Sequence, residues 1–261
     1  MGMEAEKTQG GEMIELLIIF ILAIIFELTD SAIGMLYGTL LAPILIIAGY
    51  NPFLVVPAIL LSQACGGFLA TYSHHSVKNA EWGFKSRDFK IASILILFGI
   101  VSVFIGAFVG SIITPIILKT YIGILCIAMG SLVILKKKFK FSWKKISIIA
   151  ILSAFNKSLS GGAYGPVVAT GNIASGIEEK RAIGITDFAE APICVMAFVA
   201  WVVLSGFPDT RLILPLCVGA GIGGLIGPYL LSKVKSTNII KLTVGLLAFV
   251  SGVIVLIKTW W

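Results

Sequence analysis

The chain has 261 residues, 58% of them apolar and only 13% charged, with a mean hydropathy of +1.03. Ordinary soluble domains carry roughly 25% charge, so water is excluded as its main solvent. The net charge of +7 does not mark a nucleic-acid surface, because the basic residues fall in short loops beside apolar runs, where they orient a membrane protein.

Residues 1–12, MGMEAEKTQGGE, are polar and acidic and read as a disordered leader. They lack the basic start and small-residue cleavage site of a secretory signal. Glu6 stands where N-myristoylation requires Ser or Thr. Two short apolar arms follow, roughly 13–28 and 38–49, forming a hairpin over 13–49. Apolar runs at 54–73, 89–110 and 114–135 complete a first repeat, 13–135. Each suits the roughly 20 helical residues that cross a hydrocarbon core of about 30 Å. A basic cytoplasmic loop is expected at 136–144. The second repeat, 145–258, opens with arms at 145–155 and 164–175, forming a hairpin over 145–175, and continues with runs at 183–204, 211–232 and 238–258. These runs are continuous rather than alternating, so helices are favoured over a β-barrel. The fold class is an all-α polytopic membrane protein with six full spans. The 11-residue arm at 145–155 reaches only about 16 Å, half a membrane, and suggests a re-entrant hairpin. Hairpins that cross fully, giving ten spans, remain the alternative.

A shift of 127 residues lays Ser31–Gly49 over Ser158–Gly176 and matches Ser31, Gly34, Tyr37, Gly38, Ala42, Ile46 and Gly49 with identical residues. The same shift pairs Gln63 with Glu190 and Asp30 with Lys157. The chain is therefore read as a duplicated unit, as in many transporters. A hairpin returns the chain to its starting side and three spans then carry it across, so the second repeat is inverted. Placing loops 74–90, 136–145, 176–182 and 233–241 inside collects 15 of the 20 basic residues there. Both termini are then extracytoplasmic, and the hairpin tips approach each other from opposite sides at mid-membrane.

A charge at mid-bilayer costs about 2.5–3.5 kcal/mol on insertion scales, so the intramembrane ionisable residues Glu27, Asp30, Lys157, Asp187 and Glu190 are functional candidates. Lys157 precedes tip glycines and the start of a helical arm. Together these would hold a small anion, or the lysine would only neutralise Asp30, Asp187 or Glu190. An ion pair between Asp30 and Lys157 across the repeat axis is expected. Glu190, with Gln63 at the equivalent place, suits a proton-coupling carboxylate or a packing one. Asp187 shares its face, and Thr186 and Ser62 are nearby donors. Tyr37 and Tyr164 are expected to pack with one hydrogen bond each. His74 and His75 read as caps at the inner interface, since neighbours on a helix make a poor metal pair. Cys65, Cys126, Cys194 and Cys217 lack metal spacing and read as buried free thiols. Trp260 and Trp261 read as interfacial anchors.

The segments GMLYGTLLAPILIIAGYNPFLVVPAILLSQACGGFLATYSHHSVKN and AFNKSLSGGAYGPVVATGNIASGIEEKRAIGITDFAEAP resemble the TauE/SafE family of sulfite and organosulfonate exporters. The resemblance covers nearly the whole chain after the leader, and the second motif is the more specific. It implies export of a small sulfur oxyanion or sulfonate coupled to an ion gradient. Matching positions are Asn156, Lys157, Ser160, Gly161, Gly162, Tyr164, Gly165 and Glu190, with Gly34, Tyr37, Gly38 and Gln63 in the first repeat, next to Thr39. Met35 and Leu36 stand where more glycine-rich members have small residues.

The leading expectation is a secondary transporter that exports sulfite or an organosulfonate such as sulfoacetate across the cytoplasmic membrane by alternating access. Lys157 and the tips form its binding site, with Glu190, Asp187 and Asp30 as coupling groups. Transport of a cation or another weak acid is the alternative. An intramembrane enzyme ranks lower, because no DDxxD or HExxH cluster appears and no intramembrane histidine accompanies Ser158 or Ser160. No catalytic residue, cofactor, metal or nucleic acid is expected. The expected partners are the anion and the bilayer, with a homodimer left open.

Overall fold

The computed structural model describes residues 2–135, 142–208, 210–233 and 238–261. The described residues form ten helices: α1 Gly2–Ile33, α2 Tyr37–Ile47, α3 Pro52–Ser76, α4 Arg87–Ile112, α5 Pro115–Leu135, α6 Trp143–Ser160, α7 Tyr164–Ala174, α8 Glu179–Ser205, α9 Thr210–Lys233 and α10 Asn238–Trp260. Most of the basic loop expected at 136–144, including Lys136, Lys137, Lys138 and Lys140, lies outside the described residues, as does Lys235.

Local sequence fixes several of these boundaries. Asn51 accepts from the Phe53 amide at 3.0 Å and Pro52 follows it, so α3 starts there. Ser86 accepts from the Phe89 amide at 3.2 Å and starts α4. Gly34 and Gly161, equivalent by the 127-residue shift, end α1 and α6 with φ of +76° and +75°, a left-handed turn that suits glycine.

Among the described residues seven helices are long and apolar enough to cross a membrane: the six expected runs and Gly11–Ile33. The extra one arises because α1 does not stop at residue 28. The helix runs on past Glu27 and Asp30, whose side chains turn inward and are 2% and 4% exposed. Likewise α6 runs through Lys157 to Ser160, 18 residues or about 27 Å. Each leading arm is therefore longer than its apolar run. The short arms are α2 and α7, of 11 residues each.

The surface is inside-out relative to a soluble protein. Leu97, Val101 and Val203 are 66%, 67% and 77% exposed, whereas Lys157, Asp187 and Glu190 are buried. This is a protein solvated by lipid, with its polar groups satisfied within.

The largest interfaces all join one half of the chain to the other: α1 with α9, α5 with α10, α3 with α9, α4 with α6, α3 with α8 and α4 with α8. Exchanging the halves maps this set onto itself, with the α3–α8 and α5–α10 contacts each mapped onto itself. Small residues make these crossings close. A Cβ on Gly223 of α9 would fall 2.6 Å from backbone atoms of Ile24 and Leu28 in α1. At the loop end, Arg181 grips Asp88 at 2.8 Å and Lys241 pairs with Glu179, tying the first turn of α8 to α4 and α10.

Because the atoms facing Gly223 are backbone and cannot yield, Gly223→Ala should cost about 1–3 kcal/mol. It is expected to lower the midpoint of thermal unfolding in detergent. Gly11→Ala, with nothing within 4 Å of the added Cβ, should leave it unchanged.

Candidate functional site

The last turns of α1 and α6 bring Asp30 and Lys157, equivalent by the repeat, to the two hairpin tips. The middle of α3 and of α8 brings Gln63 and Glu190, also equivalent. These four side chains form one continuous chain of contacts. Asp30 Oδ2 accepts from Gln63 Nε2 at 3.0 Å, Gln63 Oε1 accepts from Lys157 Nζ, and Lys157 Nζ meets Glu190 Oε1 at 2.8 Å. Asp30–Gln63 and Lys157–Glu190 are thus the same contact made once in each half, and the Gln63–Lys157 bond joins them. The expected direct ion pair between Asp30 and Lys157 is not what forms. The Gln63 amide stands between them, its nitrogen toward the carboxylate and its oxygen toward the ammonium, while Glu190 takes the lysine's charge.

The tips touch through backbone. A Cβ on Gly38 would fall 2.0 Å from the Gly161 carbonyl oxygen and 3.0 Å from Lys157 Nζ. A Cβ on Gly165 would fall 2.4 Å from the Gly34 carbonyl oxygen, and one on Gly162 would fall 2.7 Å from that of Gly38. No residue larger than glycine fits at Gly38. The other half of Asp30 starts α2 by accepting from the amides of Leu36 and, at 3.1 Å, Tyr37. The start of α7 is held by Thr39 of the opposite tip, whose hydroxyl accepts from the Ala163 amide at 3.3 Å. The Gly162 amide donates to Ser160 Oγ at 3.2 Å. The amides of Gly161, Gly162 and Ala163 are therefore occupied by protein oxygens in this conformation.

The remaining expected residues have varied settings. Asn156 Oδ1 accepts from Tyr121 of α5. Tyr37 donates to Ser62 Oγ at 2.8 Å, whereas the Tyr164 hydroxyl, equally buried, has no partner. The repeat explains this: the shift that carries Tyr37 to Tyr164 carries Ser62 to Ala189. Thr186 bonds the Ala182 carbonyl of its own helix instead of a neighbouring carboxyl. Ser158 donates to the Val103 carbonyl at 2.7 Å, which ties it to helix packing.

Asp187, one turn before Glu190, meets His74 Nε2 at 3.0 Å. His74 is thus not an interface cap: it is fully buried, while His75 is exposed. Its Nδ1 lies 3.1 Å from Asn79 Nδ2, which also donates to the Pro228 carbonyl at 3.1 Å. The signal was available in helical spacing, since Gln63, Gly67, Ala70 and His74 share one buried stripe of α3. Glu27 is the other residue with more than a packing setting. It abuts Gly66 of α3 and Gly223 of α9, and its Oε2 has no partner. Glu27, Asp30 and Glu190 lie within electrostatic reach of Lys157, and Asp187 lies within reach of the other three carboxyl groups. Among the described residues no three His, Cys, Asp or Glu side chains converge as metal ligands.

A family model described as "Sulfite exporter TauE/SafE" matches residues 19–255. The chain is 22% identical over 235 residues to the probable membrane transporter protein YtnM of Bacillus subtilis, covering 85% of this chain and 76% of that one. No solved structure matches it.

The partner difference between the two tyrosines makes a stability test. Tyr37→Phe should cost about 1 kcal/mol, the net worth of its bond to Ser62, whereas Tyr164→Phe should be neutral or stabilising. Thermal unfolding of the two variants in one detergent reads the difference.

Proposed function

This chain belongs to the sulfite exporter TauE/SafE family of membrane transporters, and we propose that it exports a small anion, sulfite or an organosulfonate such as sulfoacetate, across the cytoplasmic membrane by alternating access. The observation that carries this reading is Lys157. It is a lysine 1% exposed, placed where two hairpin tips meet, whose charge is met by a carboxylate 2.8 Å away. A carboxylate and a sulfonate present the same oxyanion face to an ammonium, so substrate and Glu190 compete for one partner.

Protonation of Glu190 releases Lys157 for the anion. One ammonium facing four buried carboxyl groups leaves room for that proton, because each uncompensated charge at this depth costs about 2.5–3.5 kcal/mol. Anion and proton then load together, and the empty site returns with the Lys157–Glu190 pair closed. As the tips part, the amides of Gly162 and Ala163, now given to Ser160 and Thr39, turn to the substrate. Tyr164, with its unpartnered hydroxyl, and Asn156, Gly161 and Gly165 line the second tip. Gly34, Tyr37, Gly38, Thr39 and Gln63 line the first. Asp30 and Asp187 serve as further proton carriers.

In the bilayer we place both termini outside, with the repeats inverted and the hairpins entering from opposite sides. The contact set that survives exchange of the halves supports this arrangement, as does the clustering of basic residues in alternate loops. The surplus of carboxyl groups favours a second reading, transport of a cation or weak acid. Stronger thermal stabilisation by metal ions than by sulfonates would select it.

Lys157→Gln is expected to cut sulfite flux into liposomes by about 10- to 100-fold, the worth of about 1.5–3 kcal/mol for a charged hydrogen bond. Undiminished flux would remove Lys157 from the mechanism. Glu190→Gln mimics the protonated carboxyl, so sulfite exchange should persist while its dependence on pH disappears.

A further inference from the structure

We propose that His74, oriented by Asn79, is the port through which the coupling proton reaches Asp187 and Glu190 from the side of loop 77–86. The proposal deepens the proton-coupled reading above and rests on it.

Geometry fixes the hydrogen on the ring. Asn79 Nδ2 donates to the Pro228 carbonyl, which only accepts, so the amide nitrogen is the group that faces His74 Nδ1. His74 Nδ1 must then accept, and the ring hydrogen sits on Nε2 and donates to Asp187 Oδ2, 3.0 Å away. An imidazole with one nitrogen on a buried carboxylate and the other toward a loop can pass a proton between them.

On the loop side the charged groups include Lys78 and Glu81, both exposed, and Asp88, which is buried and held by Arg181. From α8 the ring meets Asp187 and is crowded by Gly184, where an added Cβ would lie 3.4 Å from its Cγ. From α1 the Ser31 backbone faces it, and Glu27 and Asp30 lie beyond, within reach of Asp187. From α9 it meets only the Pro228 carbonyl, through Asn79. Around them on the loop side His75, Ser76, Lys78 and Glu81 are exposed, with Val77 half-buried and Ala80 buried. His74 and Asn79 are thus a buried polar pair adjoining an exposed stretch.

The steps balance without a co-reactant other than water. A proton from water binds His74 Nδ1 as Asn79 turns its amide oxygen toward the ring. The Nε2 hydrogen passes to Asp187 Oδ2, leaving a neutral ring with its hydrogen on Nδ1. Asp187 hands the proton to Glu190, one turn along α8, and Lys157 is released for the anion. With Asp187 again a carboxylate, the ring swings to bring Nε2 to water on the loop side, takes a proton there as Nδ1 gives its own to water, and swings back in the Nε2–H form.

The test uses the full chain in liposomes with sulfite as probe, measuring flux driven by a pH gradient and sulfite–sulfite exchange at equal pH. His74→Gln keeps polar contacts to Asp187 and Asn79 but relays no proton. It should lower gradient-driven flux by at least about 100-fold while exchange, in which the proton need not leave, is retained. Gradient-driven flux equal to wild type would overturn the proposal. So would equal loss of both fluxes in His74→Gln without recovery of gradient-driven flux when imidazole is added to His74→Ala. Lys157→Gln should lose both fluxes, so a wild-type protein that exchanges sulfite but ignores the pH gradient sinks the port and leaves the anion site standing. A readout independent of substrate is the 15N spectrum of His74. It must show the Nε2–H form, and a ring protonated on Nδ1 alone overturns the relay even if no sulfite moves.

Discussion

A lysine ammonium removed from water must be given a countercharge and hydrogen-bond acceptors inside the protein, and most of this architecture follows from meeting that demand at Lys157. Its partners, Glu190 and Gln63, sit on the two central helices, α8 and α3, so these must cross close to each other and to the end of α6. Gln63 is in turn held by Asp30, which also starts α2. One charge thereby fixes the meeting point of five helices. The glycines of both tips are the geometric counterpart of that demand, because the ammonium is reached only if two backbones approach to contact.

Much of this was legible in the sequence because the chain states its plan twice. The 127-residue shift identifies the tips and pairs Asp30 with Lys157 and Gln63 with Glu190. It cannot say which of these four touch. That depends on side-chain length, and an amide that both donates and accepts bridges a carboxylate and an ammonium better than either reaches the other directly. The length of α1 was hidden for a related reason: hydropathy counts Glu27 and Asp30 as interruptions, whereas a helix continues through any residue whose polar atoms are buried against protein. His74 was misplaced because two adjacent histidines at the end of an apolar run look alike, and only the stripe through Gln63, Gly67 and Ala70 tells the buried one from the exposed one.

The two tips are alike in backbone and different in chemistry. Gly34 and Gly161 turn with nearly the same φ, and α2 and α7 have the same length. At the same places one half carries acid and amide where the other carries base and acid, and Ser62 in one faces Ala189 in the other. A symmetric site would place two like charges across the axis. Replacing one of each pair converts repulsion into a chain of attraction while leaving the frame intact.

The interfaces between the halves carry one more implication. Each short hairpin arm lies against the last helix of the other half, α2 on α10 and α7 on α5, and the broadest contacts of α1 and α6 are likewise with the other half, with α9 and α4. A single half would thus leave uncovered the faces on which its own hairpin depends. The seam between the halves therefore has the plan of a homodimer interface, each side covering what the other leaves bare, closed here within one chain.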